Sequence, residues 1–177
     1  TAHVRPREMT PARERHAARL VTLSFLLHGD DVLLLRHRDT SDRFAGRWNG
    51  IGGHVEPGEC IAASARREVR EETGLEVADL VLRGVVHEAG LLGHAHVLFV
   101  FSGRAPSRDA RALEGHALQW QPLARVRELP LVPDVAPLLE RALADGDPFF
   151  AIEHFDGGDR VTRLEFEPGA TFSDAGH

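Results

Sequence analysis

The sequence predicts a mixed α/β domain, and three observations carry that expectation. Short apolar runs bounded by Gly, Asp and Pro recur between residues 20 and 166, as strands separated by turns do. Two segments, 61–73 and 135–144, repeat apolar residues at helical spacing. These helical segments are interspersed among the strand segments rather than set apart from them, which is the pattern of a mixed fold. A chain of 177 residues suits one domain with a short appendage, and it can bury a full core without disulfides or a structural metal.

The elements follow in order. Residues 1–18 are rich in Arg and show little apolar periodicity. Thr10-Pro11 resembles a helix start, with Thr at the cap and Pro in the first turn, so this stretch is either a docked helix or a mobile arm. Residues 20–27 form a strand, His28-Gly29-Asp30-Asp31 a turn and 32–36 a second strand, which makes 20–38 a hairpin. Residues 39–53 are a loop with four glycines, Gly46, Gly50, Gly52 and Gly53. The helix over 61–73 ends at Gly74, a residue suited to the left-handed turn that closes helices. Strands follow at 80–87, 95–101 and 117–120, with a polar loop over 103–115. Pro133-Asp134 leads into the helix over 135–144. Residues 149–155 and 161–166 form a terminal hairpin around Asp156-Gly157-Gly158-Asp159. The expected organisation is an arm at 1–18, a domain at 19–167 and a flexible tail at 168–177.

Composition excludes several classes. The lone Cys60 forbids an intrachain disulfide framework or a multi-Cys zinc site, and it reads as a small buried residue. No apolar run approaches the roughly 18 residues of a membrane span, and the polar, basic first residues hold no secretory apolar region. The expected location is therefore cytoplasmic, with no membrane partner. Twenty-one basic against 27 acidic residues give a net charge of −6, which disfavours binding to a nucleic-acid polymer.

The stretch with chemical content is 53–75. On a helix, residues three and four apart are neighbours, so Glu68 lies beside both Glu71 and Glu72. Ile61, Ala65 and Val69 form the buried stripe on another side. Clustered carboxylates repel, and something must offset them: Arg67 and Arg70 in part, and a hard divalent cation such as Mg²⁺ more fully. A solvated acidic face is the alternative for an isolated pair. The whole pattern is Gly53-x5-Glu59-x7-Arg67-Glu68-Val69-x-Glu71-Glu72-x-Gly74-Leu75. It fixes seven identities and two apolar positions across 23 residues, and a chance match is on the order of one in a hundred thousand.

This pattern resembles the signature box of the Nudix hydrolases, with every defining position present. The resemblance implies an α/β/α sandwich around a mixed sheet, holding Mg²⁺ or Mn²⁺ on a pyrophosphate group. Members cleave a nucleoside diphosphate linked to another moiety. The matching metal ligands are Glu68 and Glu72, with Glu71 as a further ligand or proton acceptor and a backbone carbonyl at Gly52 or Gly53. Glu59 and Arg67 pair to hold loop against helix. Such chemistry needs charge offset on the phosphate oxygens and a water placed in line; no covalent intermediate is required.

The segment Arg43-Phe44-Ala45-Gly46-Arg47-Trp48-Asn49-Gly50-Ile51-Gly52-Gly53 is similar to the approach to the box in the MutT-type members that act on oxidised purine nucleoside triphosphates. Leu131-Val132-Pro133-Asp134, Pro137-Leu138-Leu139 and Phe149-Phe150 resemble their base-pocket segment and closing helix. That similarity implies Asn49 and Asp134 as readers of the purine edge, Trp48 and Arg36 on the substrate side, and Glu114 as an extra carboxylate near the metal. Taken alone, Asn49 is also a turn residue in a Gly-rich loop and Asp134 also a helix cap. The sequence departs from the pattern at Val132, where the family carries a stacking Trp, at Val135, where it carries the second of two paired Asp, and at His54, where it carries Lys. The expected reaction is hydrolysis of a purine nucleoside triphosphate, oxidised or not, to monophosphate and pyrophosphate. A nucleotide-sugar or dinucleoside polyphosphate is the alternative substrate, and a non-catalytic nucleotide-sensing module the alternative class. Family members often form dimers, so a homodimer is among the expected partners besides a small nucleotide.

The remaining polar residues read as structural. His87, His94, His96 and His116 lack a third ligand at recognisable metal spacing. Arg104, Arg108 and Arg111 belong to a solvated loop or touch phosphate. Trp120 and Phe149-Phe150 belong to the core.

Overall fold

The computed structural model describes residues 17–36, 44–91, 93–113, 116–156 and 160–167. The first 16 residues, Glu114 and the tail from residue 168 lie outside them, and with them most of the expected arm, the extra carboxylate and the expected flexible end.

Among the described residues, eight strands form one mixed sheet. They are β1 (Ala18–His28), β2 (Asp31–Arg36), β3 (Trp48–Asn49), β4 (Val81–Leu91), β5 (His94–Arg104), β6 (Ala117–Pro122), β7 (Phe149–Phe155) and β8 (Val161–Phe166). Helix α1 spans Ile61–Thr73, α2 spans Val135–Leu143, and a 3-10 turn covers Leu123–Glu128. The strand order is β3-β2-β1-β5-β4-β7-β8, with β6 paired to β2. Two neighbouring pairs are parallel, β1 with β5 and β4 with β7.

The two faces of the sheet follow from the two-residue period of a strand. Leu23 and Phe25 of β1 and Val32 and Leu34 of β2 point to one face, where Val135, Leu138, Leu139 and Ala142 of α2 cover them. Leu26, Leu33 and Leu35 point to the other, where Val69 of α1 packs with Ile51, Leu75 and Val77. The result is a helix on each face of the sheet, the expected α/β sandwich.

The expected elements are found with altered limits. Helix α1 has the expected limits, and Gly74 closes it at φ 70° while donating its N–H to the Arg70 carbonyl at 2.8 Å. Strands β4 and β5 run longer than expected and take in residues 103 and 104, which the sequence placed in a loop. The hairpin β1–β2 pairs at only three positions, Leu26↔Leu33, Leu27↔Val32 and His28↔Asp31. Beyond that point the edge of β2 passes to β3, a strand within the expected loop. Cys60 is exposed rather than buried; it stands at the N-terminal boundary of α1, outside the helix's buried stripe.

That short pairing positions the site. The glycine segment after β3 bonds to the part of β1 that β2 has left. Ser24 and Ile51 exchange both backbone bonds, at 2.6 and 3.0 Å, and the Thr22 N–H donates to the Gly53 carbonyl at 2.9 Å. On the other side, the Trp48 N–H donates to the Pro130 carbonyl and the Val132 N–H to the Trp48 carbonyl, both at 2.9 Å. Residues 130–132 therefore run beside β3 and bring the start of α2 next to the glycine segment.

Candidate active site

Two glycines let the loop meet the helix. A Cβ on Gly52 would stand 1.9 Å from the Thr22 carbonyl oxygen, and one on Gly53 would stand 2.5 Å from Glu68 Oε1. Only bare backbone fits between β1 and α1 there. The Gly52 N–H donates to Glu72 Oε2 at 3.1 Å. Glu68 and Glu72, one helical turn apart, thus both face the glycine segment.

Of the two arginines expected to offset this charge, Arg67 makes the contacts. Its Nε and Nη2 donate to the two oxygens of Glu59 at 2.9 and 3.0 Å. Its Nη1 donates to Glu68 Oε1 at 2.8 Å and Glu71 Oε2 at 2.9 Å. Nη2 also reaches the His54 carbonyl and Ser64 Oγ. A planar guanidinium with five donors suits this role. These hydrogen bonds, and then that from the Glu56 amide, hold the Glu59 carboxyl at about 2, against an ordinary 4.5. The same carboxylates, Glu59 foremost, push the Arg67 guanidinium still higher. One cation thus faces Glu59, Glu68 and Glu71, with Glu72 beside them, and the cluster keeps an excess of negative charge. Hard oxygen donors gathered against backbone, with no space for a side chain on the loop, fit a divalent cation.

A cavity of about 340 Å³ opens beside this cluster, within the range of small-ligand sites. Gly52, Gly53 and Glu72 line it together with Asn49, Val132 and Asp134. The Asn49 Oδ1 accepts the Gly50 N–H at 2.8 Å, so Asn49 serves the turn and also borders the cavity. Asp134 precedes α2, yet its side chain makes no capping hydrogen bond. Val132, at the expected stacking position, belongs to the cavity wall and the core together.

Other expected residues fall elsewhere. Trp48 is buried in the core with Arg36 over its ring, the guanidinium carbon 5.3 Å from the ring centre, and neither borders the cavity. Arg108 pairs with Asp31 and lies over the Trp120 ring, whose Nε1 donates to the Arg108 carbonyl. That arginine fastens the loop to the sheet. His94 is exposed. The Phe149 ring packs 5.5 Å from that of Phe166 and close over Gly84, as expected for core.

Sequence reasoning missed part of the cavity. His96, 3% exposed, and Glu88, 7% exposed, are buried and line it. Glu88 stands in register with His96 on β5 and with Glu153 on β7. Carboxylate oxygens of Glu88, Asp134 and Glu153 all lie within 4.8 Å of one another. A signal was available: Glu88 follows Val86, and Glu153 follows Ala151, at inward positions of otherwise apolar strands.

Comparison with known proteins agrees with this geometry. The family model described as NUDIX domain matches residues 18–142. The CTP pyrophosphohydrolase of Escherichia coli K12 is 33% identical over 67% of this chain and 87% of its own. The oxidized purine nucleoside triphosphate hydrolase of Mus musculus is 36% identical over 59% of each chain. Among solved structures, a MutT protein from Bacillus halodurans superposes with a TM-score of 0.72 at 25% identity, over 85% of this chain and 99% of that one.

Proposed function

The chain belongs to the Nudix family and is a Nudix hydrolase, and from that premise we propose that it hydrolyses a purine nucleoside triphosphate, oxidised or not, to monophosphate and pyrophosphate. The observation that carries this reading is the single cavity joining Glu72 and the glycine segment to Asn49 and Asp134. Phosphates beside Glu72 and the glycine segment and a base beside Asn49 and Asp134 match the two kinds of group present. The relatives' names, one a purine and one a pyrimidine triphosphate hydrolase, support a triphosphate and leave the base to the cavity.

Nudix hydrolases use divalent metal ions; here Glu68 and Glu72 are suited to hold Mg²⁺ or Mn²⁺, with Glu71 beside them. Gly52 suits the backbone ligand better than Gly53, whose carbonyl already accepts from Thr22. When bound, such an ion offsets charge on the phosphate oxygens and lowers the barrier to attack by water. The chain's own residues do the rest. Arg67 and Glu59 fix the loop to the helix and hold Glu68 in place, and a glutamate of the cluster takes the proton of the attacking water. Asn49 and Asp134 orient the base.

The test is release of pyrophosphate and phosphate from canonical and oxidised dNTPs, nucleotide-sugars and dinucleoside polyphosphates with Mg²⁺, using Glu72→Gln as the blank. Preference for a purine triphosphate supports the reading. Preference for a nucleotide-sugar or dinucleoside polyphosphate replaces the substrate, and nucleotide binding without metal-dependent turnover replaces the reaction with sensing. Among the described residues no helix is long and apolar enough to cross a membrane.

A further inference from the structure

We propose that Arg19 is a substrate-binding residue, whose guanidinium holds a phosphate oxygen of the substrate at the rim of the cavity. The inference rests on the reading of the cavity as a nucleotide site and goes beyond it in naming a phosphate-binding cation outside the signature box.

The first observation is a row of polar side chains across the sheet. Arg19 of β1 stands in register with His96 of β5, His96 with Glu88 of β4, and Glu88 with Glu153 of β7. Residues paired in register share a face of the sheet. Arg19 also shares that face with Val21 and Leu23, which pack into the core beneath α2. The neighbouring row, Val21, Leu98, Val86 and Ala151, is apolar throughout. The acids of the polar row are buried, whereas Arg19 is exposed.

The second observation is where β1 puts this cation. The edge of β1 that bonds to the glycine segment continues toward Arg19. Val21 bridges to His54, and the Leu20 carbonyl accepts the Val55 N–H at 3.0 Å. Arg19 is the next residue along that edge. It therefore stands on the strand that the glycine segment pairs with, while Glu88 and Glu153 stand on β4 and β7, beyond β5. Arg19 lines the same cavity as Gly52, Gly53 and Glu72.

The third observation is charge. Among the described residues that line the cavity, Arg19 is the one arginine, against the carboxylates of Glu72, Glu88 and Asp134. The chain contains no lysine, and Arg67 is engaged by Glu59, Glu68 and Glu71. A phosphate chain in this cavity meets carboxylates of its own sign. A guanidinium stays charged at every working pH and offers phosphate a planar fork of donors. Among the described residues Arg19 has no hydrogen bond or ion pair, so a charge-assisted bond to phosphate forms without breaking a contact of the fold. Such a contact is present before the reaction as well as during it, so its loss raises KM and leaves kcat.

The experiment uses the full chain with Arg19→Gln, Arg19→Lys and, as a control for net charge, Arg125→Gln, an exposed arginine on the 3-10 turn that does not line the cavity. Binding of inorganic tripolyphosphate is measured by calorimetry, and kcat and KM are measured for dGTP and dATP with Mg²⁺ at low and high salt. Arg19→Gln is expected to weaken tripolyphosphate binding and to raise KM by about tenfold, with kcat within about threefold and an unchanged melting temperature. Its KM should also respond less to salt than that of wild type, since a screened charge contact is gone. Arg19→Lys should recover part of the loss, and Arg125→Gln should match wild type. Tripolyphosphate binding by Arg19→Gln equal to that of wild type overturns the proposal, as do equal weakening in Arg125→Gln, no binding by wild type, or a fall in kcat with KM unchanged. Tripolyphosphate binding that depends on Arg19 without turnover of either triphosphate supports it while overturning the purine triphosphate reading.

Discussion

Arg67 grips Glu59 with two parallel hydrogen bonds, 2.9 and 3.0 Å long, and the same guanidinium reaches Glu68 and Glu71. The pair ties the loop before α1 to the middle of that helix. The Glu59 carboxyl is held at about 2 against an ordinary 4.5. A depressed carboxyl stabilises the fold above its unfolded value, and that contribution is lost as pH falls through the folded one. The loop–helix tie should therefore persist down to about pH 4.5 and weaken between there and about pH 2. NMR titration of Glu59 checks this, and Arg67→Ala should return its midpoint toward 4.5.

Removal of charge at the cluster should abolish turnover and spare the fold. Glu72→Gln and Glu68→Gln are each expected to lower kcat by about a hundredfold or more, the scale seen when one preorganised electrostatic contact is removed. Melting temperatures should stay near wild type or rise, since repulsion among the carboxylates is relieved. Unchanged turnover in both purified variants would contradict their placement on the phosphate side.

Alanine at the two neighbouring glycines should have different effects. At Gly52 the new Cβ meets the Thr22 backbone at 1.9 Å, which cannot move without displacing β1. Gly52→Ala should destabilise by about 1–3 kcal/mol or more, as overpacking does, and be read as a lower denaturation midpoint. At Gly53 the Cβ meets the Glu68 carboxylate at 2.5 Å, the end of a side chain that can swing away. Gly53→Ala should cost activity more than stability, checked by comparing kcat with the melting temperature.

Asn49 joins a turn and a cavity wall, and two substitutions separate the roles. Asn49→Asp keeps an acceptor for the Gly50 amide and removes the donor, so it should alter preference among bases with little change in melting temperature. Asn49→Ala loses the turn bond as well and should lower stability by about 0.5–1.5 kcal/mol. Substrate competition assays on both variants check this, and an equal loss across all bases would mark Asn49 as structural.

The sequence by itself determined the reaction family, both helices and most of the strands. Helix α1 and its closing Gly74 were legible because period, spacing and turn chemistry are local: Glu68, Glu71 and Glu72 cluster on any helix that contains them. The tertiary structure alone decided what faces what across the sheet. β1 leaves β2 after three pairs and the glycine segment takes the freed edge, while β5 runs parallel along the other edge. That Glu88, Asp134 and Glu153 meet depends on two strands and a helix start drawn from distant parts of the chain. Parallel pairing carries no short-range sequence signal, because the paired strands are joined by long connections and recognise each other only through the core they share.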